Sequence, residues 1–336
     1  MLLVREYGPR VKRRDSRAIQ SMYRRIVLTL LICFNVEAAP LPTHDQNPFL
    51  AGFGLPRPIA PHLPARSAWM LDLNWSSIAL EQRSGSEELI ADAETRELRL
   101  TYTQRLSERW ALALELPYRE TSGGSLDSFI DSWHDIFGLP GGARSMQPRD
   151  RLQLYYGSAG KAWIERARPR RGLADASLSA IYALFASPSS AISAALRIKL
   201  PTGTDHWLNS SDAVDVSAIL AAERKLGERY RLEAQLAATR LGAGELLPWL
   251  QRELVWSGRA GLTVRATRAL ELVLQLDGHT RVFDSDLEFF REALIATLGG
   301  HLHFGEGWTF SAGVSEDLLV EHSPDVVFVL ALSRRL

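Results

Sequence analysis

The sequence predicts an all-β chain: a transmembrane antiparallel up-and-down β-barrel of about twelve strands, with a short helical insertion on its extracellular side. Three observations carry this expectation. Apolar and polar residues alternate with period two through most of the chain beyond residue 66, which sets one face of each strand against an apolar medium and the other against a polar one. A polar turn phrase recurs: Leu106-Ser107-Glu108-Arg109-Trp110-Ala111-Leu112 returns as Leu226-Gly227-Glu228-Arg229-Tyr230-Arg231-Leu232, with looser copies at Phe304-Gly305-Glu306-Gly307-Trp308 and Thr267-Arg268-Ala269-Leu270. These turns are short, the alternate loops are longer, and aromatics sit at the strand ends, the arrangement expected where the apolar medium is lipid.

The bulk composition agrees. Lys and Arg total 39 against 39 Asp and Glu, so the basic excess of a general nucleic-acid binder is missing. No stretch reaches the roughly 18 unbroken apolar residues of a membrane helix. A barrel escapes that criterion because only every second strand residue meets lipid.

From the N-terminus, Arg24-Arg25, the apolar run Ile26 to Val36 and the small-residue exit Glu37-Ala38-Ala39 read as a secretory signal peptide within residues 1–38, with Met22 as its start and cleavage after Ala38. The only cysteine, Cys33, lies inside it, so the mature chain forms no disulfide. Residues 39–66 carry Pro40, Pro42, Pro48, Pro56, Pro58, Pro61 and Pro64. They can form neither regular helix nor ladder and read as an extended periplasmic lead-in, partly tucked into the barrel mouth. The barrel follows over 67–336.

The first strands are marked by Trp69, Leu71, Leu73 and Trp75, by Leu98, Leu100 and Tyr102, and by Trp110, Leu112, Leu114, Leu116 and Tyr118. After an interruption, alternation resumes at Leu178 to Leu184, Ile192 to Leu200, Val214 to Ala222 and Tyr230 to Ala238. It continues through Leu254 to Ala266, Leu270 to Leu276, Leu294 to Phe304, Trp308 to Val314 and Val326 to Leu332. A charge within such a strand must point inward, since at mid-bilayer it would cost roughly 2–4 kcal/mol. The candidate lumen-facing residues are therefore Arg99, Glu115, Arg197, Lys199, Asp215, Arg231, Glu233, Arg259, Arg265, Glu271 and Asp277, together with Asp72 and Glu97. Interspersed signs favour a narrow or occluded lumen over an open ion-selective ring.

Residues 120–172 interrupt the alternation. Leu126, Phe129, Ile130, Trp133 and Phe137 recur at helical spacing, Ser125 suits the N-cap, and Gly138 with Pro140 ends the element. Two β-like runs, Leu152 to Tyr156 and Ala162 to Glu165, flank Gly157-Ser158-Ala159-Gly160 as a hairpin.

The run Leu126-Asp127-Ser128-Phe129-Ile130-Asp131-Ser132-Trp133-His134-Asp135-Ile136-Phe137-Gly138-Leu139-Pro140 with Arg144, the early Gln46-Asn47-Pro48-Phe49 and the Lys199-Leu200-Pro201-Thr202-Gly203 loop resemble a bacterial outer-membrane β-barrel family of unknown function, domain-of-unknown-function family three-one-eight-seven. The resemblance spans essentially the whole mature chain. It implies the barrel fold and an outer-membrane location, assigns no activity, and marks Asp127, Phe129, Ile130, Asp131, His134, Phe137, Gly138 and Arg144 as family-motif residues. One departure is the C-terminus, Ser333-Arg334-Arg335-Leu336, where such barrels usually end in an aromatic.

Catalytic and metal chemistry find little support. Asp131 and His134 share a helix face, a pairing that suits acid–base work but equally pins a helix over the barrel mouth. No serine–histidine pair sits at strand spacing for a lipid hydrolase. His301 and His303 share a strand face without a third ligand. No dinucleotide fingerprint, P-loop or zinc motif is present, and no cofactor, metal or nucleic acid is expected. The expectation is an outer-membrane barrel acting as a narrow or gated channel or transporter for a small solute, with the insertion as plug or gate. The alternative is a non-transporting surface barrel or a lipid-modifying enzyme. Its partners would be outer-membrane lipid, the general secretion and barrel-assembly machineries, and a small-molecule solute.

Overall fold

Period-two alternation closes the chain on itself. The computed structural model describes residues 39–124, 126, 150–204, 209–319 and 321–336. The signal segment and the motif residues Asp127, Phe129, Ile130, Asp131, His134, Phe137, Gly138 and Arg144, with the expected helix over 125–140 apart from Leu126, lie outside the described residues.

Twelve antiparallel strands form the wall: β1 (Ser67–Ser84), β2 (Glu87–Arg105), β3 (Trp110–Ser122), β7 (Ser177–Ser187), β8 (Ser190–Lys199), β9 (Asp215–Leu226), β10 (Tyr230–Arg240), β11 (Leu254–Arg265), β12 (Leu270–His279), β13 (Ala293–Phe304), β14 (Trp308–Asp317) and β15 (Val326–Arg335). Each pairs with its neighbour in order, and β1 closes on β15 from Ala68↔Arg335 to Ser77↔Val326. One end of the barrel carries the short turns and both chain ends, Arg66 and Leu336, which are hydrogen-bonded to each other. At this turn end Gly227 and Gly307 adopt positive φ, and a Cβ on Gly307 would meet the Arg335 carbonyl oxygen at 2.5 Å. The long loops gather at the opposite, loop end.

The two faces of the wall differ as the alternation requires. On β3 the leucines Leu112, Leu114 and Leu116 with Trp110 and Tyr118 are exposed, while Ala111, Ala113 and Glu115 are buried inward. The exposed apolar side chains continue around the wall through Leu196, Leu220, Leu236, Leu274, Leu298 and Leu330. At the turn end, Trp69 and Trp308 meet edge to face at 5.2 Å, and Trp110 lies 4.8 Å from Tyr182. Apart from the longer β1 and β2, the wall strands run 10–13 residues and, tilted as in such barrels, span about 25–30 Å.

Three short strands were less legible. β4 (Gln153–Ser158) and β5 (Lys161–Arg166) form the expected hairpin, and β6 (Arg170–Leu173) adds to β3. β1 and β2 overshoot the other strands. Beyond Glu94↔Ser122, β2 exchanges β3 for β4, from Asp92↔Gln153 to Glu87↔Ser158. A four-stranded sheet thus folds over the loop end. Ile78, Leu80, Leu89, Leu154, Tyr156 and Ile164 pack on its inner side against Phe283, Phe289 and Phe290 from the β12–β13 loop. Tyr156 donates from Oη to Glu87 Oε1 at 2.6 Å; burial, then that carboxylate, raise its phenol above the usual range.

Leu126 is the one described residue of the expected helix. It is buried against Val326, with Trp75, Val314 and Phe328, on the outward face of the wall by strand parity, and its N–H donates to Glu94 Oε2 at 2.9 Å.

Candidate functional site

The lumen is occupied. Residues 39–66, expected as a periplasmic lead-in only partly tucked into the mouth, enter at the turn end, climb the whole interior, reverse at the loop end and descend to β1. We call this segment the plug. Its prolines restrict φ and remove donors, so its two legs are extended and have no ladder of their own. Their remaining polar groups need partners elsewhere, and the wall supplies many of them.

On the ascending leg Leu41 is fully buried in a notch where Gly299 and Gly313 face each other across β13 and β14; a Cβ on Gly299 would lie 2.9 Å from Leu41 Cδ1. The Leu41 carbonyl accepts from Gln275 Nε2 at 3.2 Å, and Thr43 Oγ1 donates to Asp277 Oδ2 at 2.7 Å. Asp45 Oδ2 pairs with His279 Nε2 at 2.9 Å.

The reversal uses the family phrase around Asn47. The Asn47 N–H donates to Asp45 Oδ1 at 2.8 Å and the Phe49 N–H to Asn47 Oδ1 at 2.9 Å, which is an Asx turn at each step. Asn47 Nδ2 also reaches the Phe289 carbonyl at 3.0 Å. This turn drives Phe49 and Phe53 into the aromatic cover. Phe49 meets Phe290 at 5.5 Å and Phe53 meets Phe283 at 5.6 Å, both edge to face. The tip is thus apolar and fully desolvated, unlike the polar legs.

The descending leg begins with Gly52-Phe53-Gly54, pressed on the wall so closely that a Cβ on Gly54 would lie 2.8 Å from Asp215 Cβ. The Gly54 N–H donates to Asp215 Oδ2 at 2.7 Å, Arg197 donates to the Gly54 carbonyl at 2.9 Å, and Lys199 Nζ to the Gly52 carbonyl at 2.8 Å. Lys199 is also ion-paired to Asp175 at 2.8 Å and Asp215 at 3.1 Å. We expect Gly54→Val to force this leg off the wall and to lower the temperature at which the protein loses its compact electrophoretic form, with the barrel itself still assembled.

Arg57 then ties the structure together. Its Nη1 donates to Asp72 Oδ1 at 2.8 Å, its Nη2 to the Pro42 carbonyl at 2.7 Å and its Nε to His44 Nδ1 at 3.1 Å. One guanidinium therefore joins both legs to β1. Behind it, Glu97 holds Arg99 at 2.8 Å and Arg119 at 2.5 Å, and Glu115 bridges Arg99 at 2.6 Å and Arg197 at 3.2 Å. Below Arg57, Ile59 donates its N–H to Gln235 Oε1 at 2.9 Å. Ile59 and Leu63 lie on an apolar wall strip formed by Ala113, Ile181, Ala195, Ile219 and Ala237. A cavity of about 130 Å³ remains beside them at the turn end.

The charges marked from the sequence are placed as follows. Arg99, Glu115, Arg197, Lys199, Asp215, Arg231, Glu233, Arg259 and Glu271 are buried inside the barrel, and Asp277 is half-buried against the plug. Eight of the eleven fall into two groups. Arg99, Glu115, Arg197, Lys199 and Asp215 belong with the plug's descending leg. Arg231, Glu271 and Arg265 gather across β10 to β12, where Arg231 Nη2 meets Glu271 Oε2 at 3.1 Å and the half-buried Arg265 approaches Glu271 at 3.6 Å. His301 and His303 bond Ser311 and Thr309 across β13 and β14. Among the described residues no three His, Cys, Asp or Glu side chains cluster to hold a metal. Sequence reasoning missed Arg57, His44, Arg119 and Asp175, which lie outside alternating strand runs or in the interrupted region. The clustered prolines were the one available sign that 39–66 needed an outside partner for its backbone.

Known proteins were compared with this geometry. The chain resembles the crystal structure of an outer membrane channel from Pseudomonas putida F1, with 14% identity, 84% of this chain and 97% of that chain covered, and a TM-score of 0.54. It also aligns with the translocator domain of the autotransporter NalP from Neisseria meningitidis (12% identity, 82% and 90% covered, TM-score 0.44) and with the P. putida toluene transporter TodX (10% identity, 87% and 93% covered, TM-score 0.43). The first of these likenesses is one of fold: a closed antiparallel barrel of the outer-membrane kind. No curated protein matches the chain in sequence. The model of one family, described as "Protein of unknown function (DUF3187)", matches residues 19–336, and with nearly the whole chain inside that match, the protein belongs to this family.

Proposed function

We propose that the protein is an outer-membrane channel for a small solute, held closed by its own N-terminal segment. The observation that carries this reading is the division of labour along residues 39–66. The two legs are held mainly by hydrogen bonds and ion pairs to the wall, whereas apolar burial is concentrated at the Phe49–Phe53 tip. Each polar contact of this kind is worth about 1.5–3 kcal/mol net where a charged group takes part and less where none does, because water takes its place when it breaks. A plug built so can leave without stranding the wall: most inward charges keep a partner on the wall, and the others are rehydrated.

The outward leucines with aromatics at the turn end suit a bilayer, and because such barrels carry short periplasmic turns and longer external loops, in this reading the turn end faces the periplasm and the aromatic cover the outside. Outer-membrane lipid then surrounds the wall, and the general secretion and barrel-assembly machineries deliver the chain. In this reading the plug is the gate; the helix over 125–140, expected in that role, lies outside the described residues apart from Leu126.

The test is conductance in planar bilayers. The intact chain is expected to be almost silent. A variant lacking residues 40–64, with the export signal joined directly to the barrel, is expected to give stable steps. A deletion variant that shifts on heating like a folded barrel and still carries no current would overturn the channel reading in favour of a structural barrel.

A further inference from the structure

The plug leaves one part of the lumen unfilled. At the turn end, between Ile59 and Leu63 of the descending leg and the inward faces of β1, β2, β3 and β7, lies the cavity of about 130 Å³. One flank of Ile59 and Leu63 rests on the Ala113–Ile181 strip. Both side chains are nevertheless only half-buried, as is Met70 on β1, and none of the three is on the lipid face of the wall. The surface they leave open belongs to the lining of this space, which is mainly apolar.

Its polar groups are of two kinds. The charges at its inner end are committed: Arg57 to Asp72, Pro42 and His44, and Glu115 to Arg99 and Arg197. At its mouth His62 faces Glu223 at 3.8 Å, and the Arg334 guanidinium lies over the Trp308 ring at 5.3 Å. The hydroxyls of Thr101, Thr103 and Ser179 line it from the wall and are hydrogen-bonded to no other group among the described residues. A charged guest would be desolvated without a partner, which is costly, whereas a hydroxyl guest finds one. Size sets the other limit. An apolar cavity of roughly 150 Å³ takes up benzene, so this one holds a single ring of that size.

We propose that this cavity is a binding site for a small uncharged molecule, apolar apart from one hydroxyl and of about the bulk of a single ring. The ring would lie against Ile59, Leu63 and Met70, and its hydroxyl would reach Ser179 or the threonines of β2. One side of the site is plug and the other is wall. It is therefore complete only while the plug is docked, and by linkage its occupant holds the plug in place. The assignment concerns the closed protein and does not depend on the channel reading.

The experiment is equilibrium dialysis of the full-length protein in detergent against cyclohexanol, with empty micelles of equal detergent content as the blank and cyclohexanecarboxylate as the charged probe of similar bulk. Cyclohexanol is expected to saturate at about one equivalent per chain above the blank, and the carboxylate to bind at least tenfold more weakly, roughly the penalty for desolvating an unpaired charge. Ala60 and Thr103 line the cavity from the plug and from the wall. Ala60→Phe and Thr103→Phe should each fill it and weaken cyclohexanol binding about tenfold or more, and removal of residues 40–64 should abolish binding. No saturable excess over empty micelles, or equal binding of the two probes, overturns the proposal from the wild-type protein alone, whether or not the variants fold. Undiminished binding by a heat-modifiable Ala60→Phe protein or by the deletion overturns it as well, since the guest would then sit elsewhere. Conductance of the plug deletion reads the channel itself, so the two ideas fail separately.

Discussion

Replacing Arg57 by alanine is expected to turn a closed barrel into one that opens repeatedly, seen as discrete current steps in planar bilayers where the intact chain is almost silent. Arg57 bonds the ascending leg, through Pro42 and His44, and the wall, through Asp72, in a single fan of donors. Breaking a buried pair on one side typically costs about 3–5 kcal/mol, because the surviving charge is left uncompensated. Here part of that cost is recovered, since Asp72 regains water when the plug moves, leaving about 2–3 kcal/mol in favour of release. At 1.36 kcal/mol per decade, the open fraction should rise roughly 30- to 150-fold. Arg57→Lys keeps the charge but loses the fork that reaches three acceptors at once, so it should fall between. A folded Arg57→Ala barrel as silent as the wild type would mean that the latch lies elsewhere.

The paired change Phe49→Ala and Phe53→Ala is expected to have an effect at least as large, by a different route. Both rings are buried at the plug tip and meet Phe290 and Phe283 edge to face. Truncating a buried phenylalanine costs about 3–5 kcal/mol through lost burial and the cavity left behind, and the tip is where the plug's apolar burial is concentrated. The tip should undock from the loop-end cover while the twelve-strand wall, held by its own closed ladder, keeps its heat-modifiable form. The readout is protease access to residues 45–55 from outside, together with conductance. If both stay at the wild-type level, the aromatic cover does not hold the plug.

The sequence and the structure contribute at different ranges. The wall was legible because its rule is local: side-chain direction alternates residue by residue, and lipid outside with polar groups inside marks every strand. Parity alone put Glu115, Arg197 and Glu233 on the lumen side without any knowledge of their neighbours. The overshoot of β1 and β2 escaped this reading because the sheet above the barrel packs on an aromatic cover, with the marks of lipid gone from its outer face. β6 is four residues long, too short for a period to register.

The plug escaped it for a stronger reason. Proline spacing says that residues 39–66 cannot pair as strand or helix, but not where their carbonyls and N–H groups are met. Those partners sit on β1, β8, β9, β10 and β12, with Asp215 161 residues from Gly54 and Asp277 234 residues from Thr43. Closing the barrel alone brings them to one axis. The sequence by itself determined that this chain is a barrel with a charged interior, because alternation and turn chemistry act between near neighbours. Only the tertiary structure decided what fills that interior and which charges pair across it, since ion pairing across a lumen depends on register accumulated around all twelve strands.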